Sequence, residues 1–229
     1  YCTKCNHFSH VISAALKHDV HLETSSAFDI DLIQNLYNEE KIDKKRIIVN
    51  NGYKTDDYLR KIISLHEMGF TNIIVVLDSK SELARLTAVA KTVGIKKPIK
   101  IGIRMAINEE AQSAYYTSRL GIRHAEINDF FNAEIKDNEL VEFKMLHFFV
   151  DSGIKDSLYY WGEFQKALKL YIDLKKQSKT LDSFNLGGGF PIKNNLGFEY
   201  DFNYVINEIV KGIKEACDND NVPEPHIFT

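Results

Sequence analysis

The chain has little to stiffen it covalently and nothing long enough to hold it in a bilayer. Its 229 residues contain three cysteines, an odd number that argues against a disulfide scaffold and for a reducing compartment such as the cytoplasm. Cys2 and Cys5 form a C-x-x-C, but a structural zinc site needs a second ligand pair and Cys217 stands alone, so no metal site is expected. No apolar run reaches the roughly 18 residues of a membrane span. A dominant charge is also missing. With 29 basic and 32 acidic side chains the net charge is -3, and basic clusters such as Lys44-Lys45-Arg46 and Lys96-Lys97 are short solvated entries to apolar runs, which argues against nucleic acid as a partner. Pro/Gly/Ser-rich linkers, repeats and low-complexity tracts are lacking, so a single domain is expected over 1–229. The chain opens on Tyr1-Cys2-Thr3-Lys4 without an initiator Met or signal-like segment, which suggests a piece trimmed at both ends.

What is present is a regular alternation of strand and helix signals. Strands are expected at Tyr1 to Cys5, Val20 to Glu23, Arg46 to Asn50, Asn72 to Leu77, Ile99 to Met105, Phe143 to Val150, Ser183 to Leu186 and from Pro225 to Thr229. Ile47-Ile48-Val49 and Ile73-Ile74-Val75-Val76 are continuous β-branched runs, as in strands buried on both faces. Between them the spacing predicts helices, among them Asp56 to Met68 stopped by Gly69, Glu82 to Val93 capped by Asp78 or Ser79, Glu126 to Ile135, Ser157 to Lys176 and Asp201 to Cys217. Leu158, Trp161, Phe164, Leu168, Tyr171 and Leu174 make one core-facing stripe. Ala106 to Arg123 lacks periodicity and reads as a long loop. About eight strands joined by helices, without hairpin signals, predict an α/β fold of the (β/α)8 TIM barrel class, an open doubly wound sheet being the alternative.

Ser183-Phe184-Asn185-Leu186 runs into Gly187-Gly188-Gly189. Three glycines permit positive φ and close approach of backbone N–H groups, so the loop could cradle a phosphate or could be only a tight turn. In barrels of this class the phosphate site often follows strands seven and eight, at the face where active sites sit. There the expected strand ends would gather Lys4, Glu23, Asn50-Asn51, Asp78, Arg104, His147 to Ser152, Asn185 and the glycine loop. A lysine walled in by such a barrel is partly desolvated, and its neutral amine can form a Schiff base, which suggests pyridoxal phosphate (PLP). A barrel that binds a sugar phosphate, with Lys4 incidental, is the reading outside that class.

The motifs carry a resemblance. Tyr1-Cys2-Thr3-Lys4-Cys5-Asn6 resembles the Y-x-x-K-x-N strand of the alanine-racemase-fold decarboxylases, and His21-Leu22-Glu23-Thr24-Ser25-Ser26 their L-E-x-x-S segment. Asn51-Gly52-Tyr53-Lys54 is similar to the N-G-Y-K of the biosynthetic arginine decarboxylases. Ile101-Gly102-Ile103-Arg104, Ser118-Arg119-Leu120-Gly121, Leu146-His147-Phe148 and Leu186-Gly187-Gly188-Gly189 follow in the same order.

The resemblance implies a PLP-binding barrel acting on a small amino acid, arginine first, with release of carbon dioxide to give agmatine in polyamine biosynthesis. Ornithine, lysine and diaminopimelate are the other substrates, and a non-catalytic PLP-binding barrel the other role. It implies that Lys4 carries PLP, with Glu23 beside it, and that Gly187, Gly188, Gly189 and Ser152 hold the phosphate, with Arg104 and His147 in the cofactor site. Phe149 stands where the family has a histidine that stacks on the PLP ring, and Asp151 where it has glycine. The family's E-x-G-R segment after the eighth strand and its C-terminal β domain have no counterpart here, so the chain is expected to be the barrel portion of a longer enzyme that forms a homodimer or higher homo-oligomer.

Overall fold

Short β-branched runs separated by amphipathic helices can satisfy their backbone only by pairing in parallel, each helix covering the crossover. That is the arrangement in the computed structural model, which describes residues 1–107, 120–150, 157–190 and 200–229, with only the backbone of Ser157. The strands are β1 (Leu22–Thr24), β2 (Ile48–Asn50), β3 (Ile73–Leu77), β4 (Ile99–Ala106), β5 (Ile122–Arg123), β6 (Val141–His147), β7 (Ser183–Asn185) and β8 (His226–Phe228). All pair in parallel in the order β1-β2-β3-β4-β6-β7-β8, with β5 attached to the end of β4. The helices are α1 (Ser9–Leu16), α2 (Ala27–Asn38), α3 (Asp56–Glu67), α4 (Lys80–Val93), α5 (His124–Phe130, continued by a π turn over Phe131–Ile135), α6 (Ser157–Gln177) and α7 (Phe202–Asp220).

The expected first strand does not form. The Tyr1 amine donates to His21 O at 2.7 Å and Glu23 N–H to Tyr1 O at 2.8 Å, so the chain begins alongside β1 and Cys2 makes one parallel bridge to Glu23. Thr3 Oγ1 then donates to Glu23 O at 3.0 Å, in place of a backbone donor, and Cys5 N–H turns back onto Cys2 O at 3.2 Å. Thr3–Cys5 is therefore a 3-10 turn. At the far end of the ladder the Phe228 ring lies 6.4 Å from that of His21, just before β1. The sheet thus curls until its two ends approach, but among the described residues no backbone hydrogen bond joins β8 to Tyr1–Cys2. The fold is a parallel α/β sheet curled into a partial TIM-like barrel.

Two apolar layers hold it. The larger lies between sheet and helices and includes Ile62, Ile73, Ile101, Phe164 and Phe184. The smaller fills the inside of the curl, where Val49, Ile74, Val76 and Met145 meet with Ile47 and Phe228 packed against them. Gly102 makes that inner layer possible, because a Cβ there would come within 3.2 Å of both Met145 and Val76. Beside it the register of β4 against β6 shifts by a bulge between Ile101 and Gly102.

Helix ends follow their capping chemistry. Thr55 Oγ1 accepts from Tyr58 N–H at 3.2 Å to start α3, and Asp201 accepts from Tyr204 N–H at 2.9 Å to start α7. Gly69, at φ +90°, follows Met68, the C-cap of α3. Two expectations fail locally. Leu158, placed in the core stripe of α6, is 86 % exposed, while Phe164, Leu168, Tyr171 and Leu174 are buried as expected. The long loop after β4 also contains Ile122–Arg123, which pairs with Met105 and Ala106. Residues 108–119, with the Ser118-Arg119 motif, lie outside the described residues. Among the described residues no helix is long and apolar enough to cross a membrane.

Candidate functional site

Register brings the site together. On adjacent strands Arg104, His147, Asn185 and Phe228 are direct partners, so a single row crosses the sheet at its C-terminal edge. Beyond that row the chain alternates. Phe148 turns into the core against Phe184, ring centroids 5.8 Å apart, while Phe149 stays half-buried under the Arg104 guanidinium, 5.8 Å from its ring centre.

The glycine loop rises from β7 at the end of this row. Asn185 Oδ1 accepts from Gly187 N–H at 2.8 Å, which folds the loop back on its own strand. Gly187 has φ +70°, and a Cβ there would strike Phe148 O at 2.8 Å and Phe149 Cδ2 at 2.9 Å, so only glycine fits. Gly188 differs: it is exposed, and a Cβ would meet nothing within 4 Å. Gly189 is exposed and at φ +88°. Among the described residues neither makes a hydrogen bond. The triplet is thus a locked corner, with Gly187's own amide committed to Asn185, followed by two exposed glycines.

His147 is 1 % exposed. Its Nε2 lies 3.1 Å from Asn51 Nδ2, and among the described residues its Nδ1 makes no hydrogen bond of good geometry. Burial, then the Arg104 cation, push it down to about 3, while Asn185 pulls weakly the other way, so the ring is neutral.

Across the mouth stands a cluster of charges. Lys54, fully buried, donates from Nζ to Gly52 O at 2.6 Å and to Glu82 Oε2 at 3.3 Å, and lies 3.7 Å from Asp78 Oδ2. Glu82 accepts from the backbone N–H of Lys54 at 3.0 Å and of Asp78 at 2.9 Å. Arg104 Nη1 approaches Asp78 Oδ1 at 3.6 Å. Burial raises the Asp78 carboxyl above its usual range against the pull of Lys54 and Arg104, and among the described residues neither Asp78 oxygen has a partner within hydrogen-bond distance. Beside this cluster Thr24 Oγ1 donates to Asn50 Oδ1 at 2.8 Å and sits 2.7 Å from the Tyr58 hydroxyl.

Lys4 and Glu23 occupy the remaining side. Lys4 is exposed on the 3-10 turn rather than desolvated by barrel walls, because the chain turns out after Cys2 instead of continuing as a strand. It is near enough to His147 to oppose its protonation. Glu23 Oε1 accepts from the Cys2 thiol at 3.4 Å, and burial followed by Glu23 pushes that thiol up to about 12. Among the described residues no ion pair joins Lys4 to Glu23. Ser152 and Asp151 lie outside the described residues.

Sequence reasoning placed Arg104, His147, Asn185, Asp78, Asn51 and the glycine loop at one edge, and there they are. It missed Lys54 and Glu82 as partners. The signal available was Ser79-Lys80-Ser81-Glu82, the S-x-x-E pattern in which the acid turns back onto the helix start. Here it reaches one residue further, to Asp78, and across to Lys54.

Comparison with known proteins bears on the same edge. The sequence profile of the family described as "Pyridoxal-dependent decarboxylase, pyridoxal binding domain" matches residues 1–229. The biosynthetic arginine decarboxylase of Prochlorococcus marinus is 26% identical over 243 residues, covering 99% of this chain and 36% of that protein. That of Pseudomonas putida is 26% identical over 193 residues, 80% of this chain and 30% of the relative. The chain therefore spans about a third of the length of the curated relatives it matches. Among solved structures, the biosynthetic arginine decarboxylase of Campylobacter jejuni superimposes with a TM-score of 0.77 at 25% identity, covering all of this chain and 38% of that one. The diaminopimelate decarboxylase of Helicobacter pylori complexed with L-lysine gives 0.79 at 20% identity, over all of this chain and 55% of that one, which supports the fold alone.

Proposed function

Since the chain belongs to the pyridoxal-dependent decarboxylase family as its pyridoxal-binding domain, we propose that it holds PLP in the cofactor domain of an arginine decarboxylase that makes agmatine for polyamine synthesis. The observation that carries this reading is the row Arg104–His147–Asn185, which runs into a tight glycine corner at Gly187 followed by two exposed glycines, Gly188 and Gly189. The residues fit the group. A phosphate needs backbone N–H donors at close approach, and among the described residues those of Gly188 and Gly189 have no other partner, beside a corner at Gly187 that excludes a Cβ. Among the described residues the buried Nδ1 of His147 has no hydrogen bond of good geometry, and Asn185 is the group near enough to favour a proton on the ring.

When bound, PLP supplies an electron sink for the pair left on Cα as carbon dioxide departs. The chain's own contributions are binding, orientation and charge. Lys4, exposed at the mouth, would attach the cofactor through its amine and give way to the substrate amino group. Gly188 and Gly189 would receive the phosphate, Gly187 shaping the corner for them, and Ser152 is assigned to the same phosphate from the family pattern. Phe149, carrying the Arg104 guanidinium on one face, offers a flat apolar surface for an aromatic ring. Glu23 is the acid assigned beside Lys4. The closed sheet, the homodimer or higher oligomer and a cytoplasmic setting belong to the same reading.

Arginine is favoured over ornithine, lysine and diaminopimelate by the similarity to named arginine decarboxylases over 99% of the chain. Adding PLP to the purified protein, reducing with borohydride and mapping the peptides is expected to place the adduct on Lys4, with none in Lys4→Ala. An adduct that persists in that variant, or no spectral change on titration, would sink the assignment. Carbon dioxide release measured on arginine against the other three amino acids tests the substrate.

A further inference from the structure

One hydrogen bond between the loop after β2 and the end of β6 decides where a proton sits. Gly52 N–H donates to Asn51 Oδ1 at 3.0 Å, which fixes the orientation of that amide. Its nitrogen, a donor only, is then the atom 3.1 Å from His147 Nε2. Nε2 must accept, so the neutral ring carries its proton on Nδ1, the atom left without a hydrogen bond of good geometry among the described residues, at a side chain 1 % exposed.

We infer that Asn51 is a positioning residue that keeps His147 uncharged with its proton on Nδ1, on the side of Asn185, so that the row at the mouth presents an uncharged ring beneath its ligand. As far as that ligand is PLP, the inference rests on the function proposed above. Asn51 is itself held firmly. Lys54 Nζ binds the carbonyl of Gly52, and Glu82 binds the backbone N–H of Lys54, so the loop carrying the amide is clamped to the start of α4.

The groups facing His147 agree with this. Arg104 from β4 and Lys4 from the N-terminal turn are cations, while Asn185 from β7 and Asn51 are neutral. Protonation at Nε2 would set N–H against N–H at Asn51 and add a third positive charge. The consequence is a row at the mouth whose charge at His147 stays constant through the physiological pH range.

Long-range proton–nitrogen correlation spectra of the 15N-labelled native protein read the ring directly. Expected are an unprotonated Nε2 and a protonated Nδ1 that persist from pH 8 to pH 5. Asn51→Asp keeps the shape and the acceptor for Gly52 N–H but offers a second oxygen, so His147 should gain a proton on Nε2 and titrate at higher pH. The pH profile of PLP affinity in the variant should then depart from that of the native protein by about tenfold, the scale of one hydrogen bond to a charged group. The inference is overturned if native His147 carries its proton on Nε2, if it titrates between pH 5 and 7, or if Asn51→Asp leaves the ring as it was. The native spectra decide even if the variant fails to fold. A native protein with the expected spectra that binds no PLP removes the cofactor reading, and with it the role of the ring toward that ligand.

Discussion

On the β2–β4 side of the mouth, Lys54, Asp78, Glu82 and Arg104 are charges matched against one another, three of them buried, with Glu82 also taking two backbone N–H groups. On the β6–β7 side, His147, Asn185 and Gly187 are neutral, and the groups that follow them, Gly188 and Gly189, have no partner among the described residues. A buried ion pair is indifferent to a ligand and exacting about its own members, since removing one leaves the other uncompensated. A neutral wall with open donors costs little to build and depends on what arrives. The first side holds the scaffold, and the second is where affinity can be altered without unfolding the chain.

The strongest way to break the contrast is Lys54→Met. It strands Asp78 and Glu82 in the interior and is expected to cost about 3–5 kcal/mol, seen as a lower urea midpoint. Acid attacks the other wall. Unfolded His147 takes a proton near its ordinary value, whereas folded it does so only at about 3, so stability is present above that ordinary value and falls as pH drops toward 3. His66, pushed down to about 4 by burial and then Lys100, acts in the same direction. Between pH 6.5 and 4 the His147 contribution is on the order of 3 kcal/mol, and His147→Asn should flatten the measured slope over that window. Gly187→Ala forces a side chain at positive φ onto Phe148 O and is expected to cost about 1–3 kcal/mol. Gly188→Ala sharpens the comparison most, because its Cβ points into open space. Its unfolding midpoint should move by less than about 0.5 kcal/mol while PLP affinity falls, and equal losses at both glycines would erase the distinction between corner and cradle.

Much of this was legible from residue patterns because it depended on local rules. The β-branched runs at β2 and β3 and the glycines after β7 each declare themselves within a few residues. What was not legible is set by long-range pairing. Nothing around Tyr1-Cys2-Thr3 announces that Thr3 Oγ1 will take the place of a backbone donor on Glu23 and turn the expected strand into a 3-10 turn that leaves Lys4 exposed. Asn51 and His147 are 96 residues apart, and their bond follows only once β2 and β6 are placed. Leu158 fits the periodicity of α6 yet stands exposed, since helical spacing specifies a face and not how far along the helix that face is covered.

The small inner cluster of Val49, Ile74, Val76 and Met145 has a bearing on traffic through the molecule. These side chains sit one layer below Asn51, Asp78 and His147, and beneath them a cavity of about 450 Å3 opens at the opposite end, lined by residues that include His21, Lys100, Lys144, Asp182 and His226. Four apolar side chains offer water nothing to bond to and act as a septum. The layer therefore separates the row at the mouth from the lower cavity. The lower cavity, for its part, equilibrates with bulk solvent whether or not the mouth is filled.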